Sequence, residues 1–209
     1  MKTEIVSTKK KTSIGQAAKI LLQGGVVAYP TETSYALGCD ATSSRAIRKI
    51  FKLKKREKNK ALPVIVGSLK TIVKYALLSK GAIALAEWFM PGPLTLVVEV
   101  KKGALPPSLG GDGVAFRISS NSFARALATK LGRPIVSTSA NRSGEPSIYS
   151  GKQLIEHYDG KVELIAQAGE LKPVRASTII DLRGDAPALL RQGPVAFASV
   201  LKELKKCER

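Results

Sequence analysis

Apolar residues recur along this 209-residue chain in two periods that take turns, and that alternation restricts the fold more tightly than any single motif. After Ser13, IGQAAKILLQ has helical spacing up to Gly24-Gly25, with Ser13 as the expected cap. VVAY then reads as a short strand ended by Pro30, and TSSRAIRKIFKLKK as a helix capped by Thr42 or Ser43. LPVIV is a strand of the buried type, Ser68 opens the next helix, and GAIALAEWFM is helical as far as Pro91-Gly92-Pro93. LTLVVEV, VAFRI and PIVSTSA are strands, with NSFARALATKL, entered through Asn121 or Ser122, as a helix before the last of them. A short helix near 151–158, the strands VELIAQA, STIIDL and PALLRQ, and a final helix near 197–206 complete the pattern. No repeat, low-complexity tract or linker interrupts it. The expectation is α/β: one domain over 1–209, its core about 12–195, built on a mixed or open sheet with helices outside.

Composition removes several chemistries. One histidine, His157, and two cysteines, Cys39 and Cys207, build neither a histidine metal cage nor a disulfide framework, so no protein-ligated metal site is expected. His157 lies in the polar stretch QLIEHYDG and reads as a solvated residue. No apolar run reaches the length of about 18 residues that spans a bilayer. The start, MKTEIVSTKKKTS, lacks the apolar core of a secretion signal, so the cytoplasm is the expected address and no membrane partner is expected. The formal net charge of +18 favours anionic partners, and loose, salt-sensitive attraction to tRNA or double-stranded RNA is expected from it.

Polar segments break the apolar runs at four places where α/β proteins commonly seat ligands. Pro30-Thr31-Glu32-Thr33 follows VVAY; its hydroxyls could bond a small polar ligand, but such a segment is more often a plain turn. Lys54, Lys55, Arg56, Lys58 and Lys60 sit at a helix end, where they suit the helix dipole or, alternately spaced, clasp phosphates. Ser137-Thr138-Ser139-Ala140-Asn141 is polar on a strand of the buried type, and Ser137 and Ser139 should share a face. Arg117, Ser177 and Arg191 occupy strand positions, and an inward arginine needs a carboxylate or an anionic ligand. GGDG lacks the spacing of a dinucleotide fingerprint, and no GxxxxGK[ST] loop is present. These residues alone describe an anion-binding α/β domain.

Taken in order, PTETSYALG, Lys54-Lys55-Arg56, MPGPLTLVV, VAFR, STSANRSGEPS, STIIDL and LLRQG resemble the YrdC/Sua5/TsaC family, in its single-domain form, from about residue 20 to 195. The resemblance implies a YrdC-like α/β fold, a twisted, open, mixed sheet with flanking helices and a large electropositive cavity. It implies a nucleotidyltransferase that makes threonylcarbamoyl-adenylate and pyrophosphate from L-threonine, bicarbonate and ATP, with Mg2+ carried by the nucleotide. The product would feed the tRNA threonylcarbamoyl-transferase machinery that modifies adenosine 37 of ANN-decoding tRNAs. By the same match, Lys54, Arg56, Ser139 and Asn141 form the family's KxR and SxN signature and are the implied catalytic set. Arg56, Lys60, Ser139, Ser147 and Arg191 are implied for ATP, and Thr33, Arg117, Ser137 and Ser177 for threonine.

The pattern also departs from the family. Ile65 stands where synthases commonly have His, Gly113 where Ser or Thr is usual, and Ser119 and Asn121 where Pro and His follow VAFR. YALGC is similar to the paralogous YciO group, which leaves a YciO-like protein with another substrate as one alternative. The other is an RNA-binding or ribosome-associated protein on the same fold. An aromatic content of 5% argues against a stacking surface for RNA.

Overall fold

Strands with both faces covered read as unbroken apolar runs, and VVAY and LPVIV owe their composition to that. The computed structural model describes residues 2–57 and 61–207. Its strands are β1 (Glu4–Ser7), β2 (Val27–Pro30), β3 (Tyr35–Gly38), β4 (Val64–Ile65), β5 (Leu94–Glu99), β6 (Gly113–Arg117), β7 (Ile135–Val136), β8 (Thr138–Ser139), β9 (Leu164–Gln167), β10 (Thr178–Asp181) and β11 (Ala188–Arg191). Its helices are α1 (Ser13–Leu22), α2 (Ser44–Lys54), α3 (Leu69–Tyr75), α4 (Lys80–Phe89), α5 (Ser122–Leu131), α6 (Gly151–Tyr158) and α7 (Phe197–Cys207). The expected mixed α/β architecture holds, with the strands arranged in two mixed sheets of order β1-β9-β2-β3-β8 and β11-β10-β5-β6-β4-β7.

Alternation along a strand sends neighbouring side chains to different apolar clusters. Val27, Tyr29, Ile65 and Ile135 pack with α1 and α5, while Ala28, Val64, Val66 and Val136 belong to the larger core under α2 and α4. The turn signals resolve as follows. Ser43 caps α2 by accepting from Ala46 N at 3.2 Å, and Asn121 caps α5 by accepting from Ala124 N at 3.1 Å. Ser13 does not cap α1: it is the first helical residue, and its buried hydroxyl donates back to Lys10 O at 2.6 Å. Neither β1 nor β3 stands out in the sequence as a strand, because each is four residues long and lies beside polar turn residues.

Residues 134–141 join the two sheets. One edge of this segment runs antiparallel to β3 and the residues after it, with Val136 N donating to Cys39 O and Ala140 N to Tyr35 O. The other edge pairs with β4 only as far as Ser137, whose N–H reaches Pro63 O at 2.9 Å. Beyond Ser137 the sheets part. A pocket opens at that divergence, much as ligand crevices open where strands of an α/β sheet separate.

Candidate active site

The pocket has a volume of about 430 Å3 and collects residues from both sheets and from the loops at their edges. Thr33, Arg56, Arg117, Ser137, Ser139, Ser147, Ser177 and Arg191 line it, so residues up to 158 positions apart in sequence share one cavity. Among the described residues, the charged groups that line it are Arg56, Arg117 and Arg191. Lys54 and Asn141 stand behind its wall, and Lys60 lies outside the described residues.

Lys54 is the last residue of α2 and is buried with the stripe Ala46, Ile47, Ile50 and Phe51. Its ammonium has three hydrogens, and three acceptors surround it: Ser139 O, Asn141 O at 2.7 Å and Asn141 Oδ1 at 3.2 Å. Asn141 in turn accepts from Ser139 Oγ and donates through Nδ2 to Glu145 O, while Ser143 N bonds Lys54 O at 3.0 Å. The KxR and SxN segments are therefore one hydrogen-bonded body. Burial draws the Lys54 ammonium down to about 8, and nearby Arg56 pushes the same way. Lys55 adopts the left-handed conformation, φ 48°, which turns the chain sharply. That reversal explains the spacing of the triplet: Lys54 goes into the core, Lys55 faces solvent, and Arg56 reaches the cavity, with Nη2 also donating to Ala61 O at 2.8 Å.

Arg117 ends β6 and pairs with Glu32, Nη1 to Oε1 at 2.9 Å, both side chains largely withdrawn from water. The second oxygen of Glu32 accepts from Ser119 Oγ, which itself accepts from Asn121 N at 3.1 Å. Glu32 lies in the turn of the β2–β3 hairpin, which Thr31 fastens by bonding Ser34 O at 2.7 Å and by meeting Thr33 Oγ1 at 3.0 Å. PTET is thus a turn and a cavity wall together. Glu32 has no role in the sequence reading, because nothing local to that turn identifies a partner 85 positions away.

Ser177, Thr95 and Arg191 form a second station. Ser177 Oγ meets Thr95 Oγ1 at 2.8 Å, and Arg191 donates to Ser177 O at 2.8 Å and to Ser177 Oγ at 3.0 Å. Burial, with Arg117 as a neighbouring like charge, holds the Arg191 guanidinium below its ordinary range. A third feature lies between the stations. Among the described residues, Ser137 Oγ and Tyr29 Oη are buried without hydrogen-bond partners, and although they are neighbours the two hydroxyls do not meet in bonding geometry. Buried hydroxyls are rarely left unpaired, so Ser137 on the cavity wall offers a bond to whatever enters.

The departures have structural settings. Ile65 sits opposite Arg117 in the β4–β6 register and presents an apolar surface to the cavity. Ser119 and Asn121 hold Glu32 and begin α5. At Gly113 a Cβ would come within 2.5 Å of Arg183 Nη1. Arg183 lies across that position while its fork grips Asp181, Nε to Oδ1 at 2.9 Å and Nη2 to Oδ2 at 2.6 Å. Among the described residues, no three His, Cys, Asp or Glu side chains gather as a metal site, and no helix is long and apolar enough to cross a membrane.

Comparison with known proteins adds lineage to this geometry. Residues 19–193 match the Sua5_yciO_yrdC family model, described as "Telomere recombination". The threonylcarbamoyl-AMP synthase of Pyrococcus abyssi is 37% identical over 189 residues, which are 89% of this chain and 55% of that protein. The chain therefore spans about half the length of that curated relative. The crystal structure of P. abyssi Sua5 complexed with L-threonine superposes with a TM-score of 0.89 at 34% identity, covering 97% of this chain and 61% of that one. E. coli YciO gives 0.81 at 27% identity, covering 93% of this chain and 95% of that one.

Proposed function

The chain belongs to the Sua5/YciO/YrdC family, and on that footing we propose that it is an L-threonylcarbamoyladenylate synthase, a nucleotidyltransferase acting on L-threonine, bicarbonate and ATP. The amine of threonine combines with bicarbonate to give a carbamate and water. A carbamate oxygen then attacks the α-phosphorus of ATP and pyrophosphate leaves. Such chemistry needs positioning and charge neutralisation more than a protein nucleophile. One observation carries the reading: three guanidiniums and several hydroxyls converge in a cavity whose wall is the joined KxR and SxN body. Arg56, Arg191, Ser139 and Ser147 take the nucleotide in this reading, with Lys60 assigned by the family pattern. Arg117, Thr33, Ser137 and Ser177 take threonine. Lys54 and Asn141 act by holding Ser139 in place. Mg2+ arrives on the nucleotide phosphates as part of the substrate.

The product is handed to the tRNA threonylcarbamoyl-transferase machinery in the cytoplasm, and the surplus of 34 Lys and Arg over 16 Asp and Glu gives a salt-sensitive attraction to tRNA or double-stranded RNA. One observation favours a second reading, a YciO-like protein with another substrate: E. coli YciO superposes on this chain with a TM-score of 0.81 at 27% identity. Measuring pyrophosphate release from ATP separates the two. The synthase requires both L-threonine and bicarbonate for turnover, and folded protein that releases no pyrophosphate with all three present is not this enzyme.

A further inference from the structure

We infer that Glu32 is a specificity-determining residue, which by neutralising Arg117 suits that wall of the cavity to a ligand without net charge, such as an amino-acid zwitterion, and turns a second anion away. The inference rests on the synthase reading and deepens it. Two guanidiniums, Arg117 and Arg191, line the one cavity, and Arg117 is near enough to disfavour the charge of Arg191. Their partners differ. Arg191 is hydrogen-bonded to the uncharged Ser177 O and Oγ, whereas Arg117 is bonded to the Glu32 carboxylate. Without Glu32, two neighbouring uncompensated guanidiniums would form a clamp for phosphates, since Arg grips anionic oxygens wherever its charge is unopposed. With Glu32 in place, one station keeps its positive charge and the other is a dipolar pair.

Nothing in this arrangement leaves the carboxylate free to drift. Oε1 is fixed by Arg117 and Oε2 by Ser119 Oγ. The Ser119 hydroxyl is aimed because its own oxygen accepts from Asn121 N, directly before α5. Glu32 does not itself line the cavity. It acts through Arg117, as a positioning residue whose effect is electrostatic.

Titration calorimetry with L-threonine and with inorganic pyrophosphate tests the inference in wild type, Glu32→Gln, Glu32→Asp and Ser119→Ala. Glu32→Gln keeps an acceptor for Arg117 and removes the charge. It should weaken L-threonine by about tenfold and strengthen pyrophosphate by about tenfold, the scale of one charged hydrogen bond in each direction. Glu32→Asp should keep the wild-type order of preference. Ser119→Ala leaves both charges but loosens the carboxylate, and should shift the preference the same way by about threefold; it carries the test should Glu32→Gln not fold. A residue that merely fastens the hairpin would weaken both ligands together, and that result, or an unchanged preference, overturns the inference alone. A wild type that binds no L-threonine removes the synthase reading and this inference with it.

Discussion

Lys54 and Arg117 are both cations taken out of water, with relative exposures of 2% and 8%, and they serve the cavity in opposite ways. Lys54 is surrounded by uncharged oxygens and faces away from the pocket. Arg117 is held by a carboxylate and faces into it. A compact ammonium with three hydrogens suits the first position, where it gathers three acceptors into one point and fixes the loop that carries Ser139 and Asn141. A planar guanidinium suits the second, since it can keep a protein partner on one edge and offer donors on another. A buried cation beside a cavity is thus not automatically a ligand grip: the chemistry of its partners decides whether it builds the wall or presents hydrogen-bond donors from it.

Removing each cation in turn separates the two roles most strongly. Arg117→Ala leaves the half-buried Glu32 carboxylate with Ser119 Oγ but without its counter-charge, which should lower stability by about 2–3 kcal/mol, on the order of 5–10 °C in Tm for a chain of this size. It should also raise the KM for L-threonine by about a hundredfold or more. Lys54→Met strands buried acceptors, and stability should fall by about 2–4 kcal/mol. Turnover should fall by about a hundredfold as Ser139 and Asn141 shift, with the KM for L-threonine nearly unmoved. Equal effects of both variants on that KM would mean that Lys54 and Arg117 serve the cavity in the same way.

A pH series isolates the Lys54 side of the comparison. An ordinary lysine titrates near 10.5, and burial brings this one down to about 8. Between those values the unfolded chain binds the additional proton, so the contribution of Lys54 to stability grows as pH rises through the window and is absent below it. The stability difference between wild type and Lys54→Met should widen from pH 7 to pH 10.5 by at most about 3 kcal/mol. A constant difference across that range would mean that the ammonium titrates normally. The smallest effect belongs to the Arg117 side. Ile65→His should change discrimination between L-threonine and 2-aminobutyrate by at most about tenfold, the worth of one neutral hydrogen bond. Turnover that appears only after this change would show Ile65 to be disabling.

Much of this molecule is written locally. The alternation of periods sets the order of helices and strands, because apolar faces must be buried at the spacing of each element. Ser43 and Asn121 cap helices as side chains three residues ahead of a free N–H do. Even the inward aim of Lys54 has a local signature: it falls on the same helical stripe as Ile47, Ile50 and Phe51. Other features are not written there. Whether Arg117 meets a carboxylate depends on a hairpin turn 85 positions earlier, and whether Lys54 meets oxygens depends on a strand segment 87 positions later. Sequence fixes which side chains carry charge and which face of an element they occupy. The tertiary structure decides their partners, since only the joining of two sheets along residues 134–141 brings those groups within hydrogen-bonding distance and excludes the water that would otherwise compete for them.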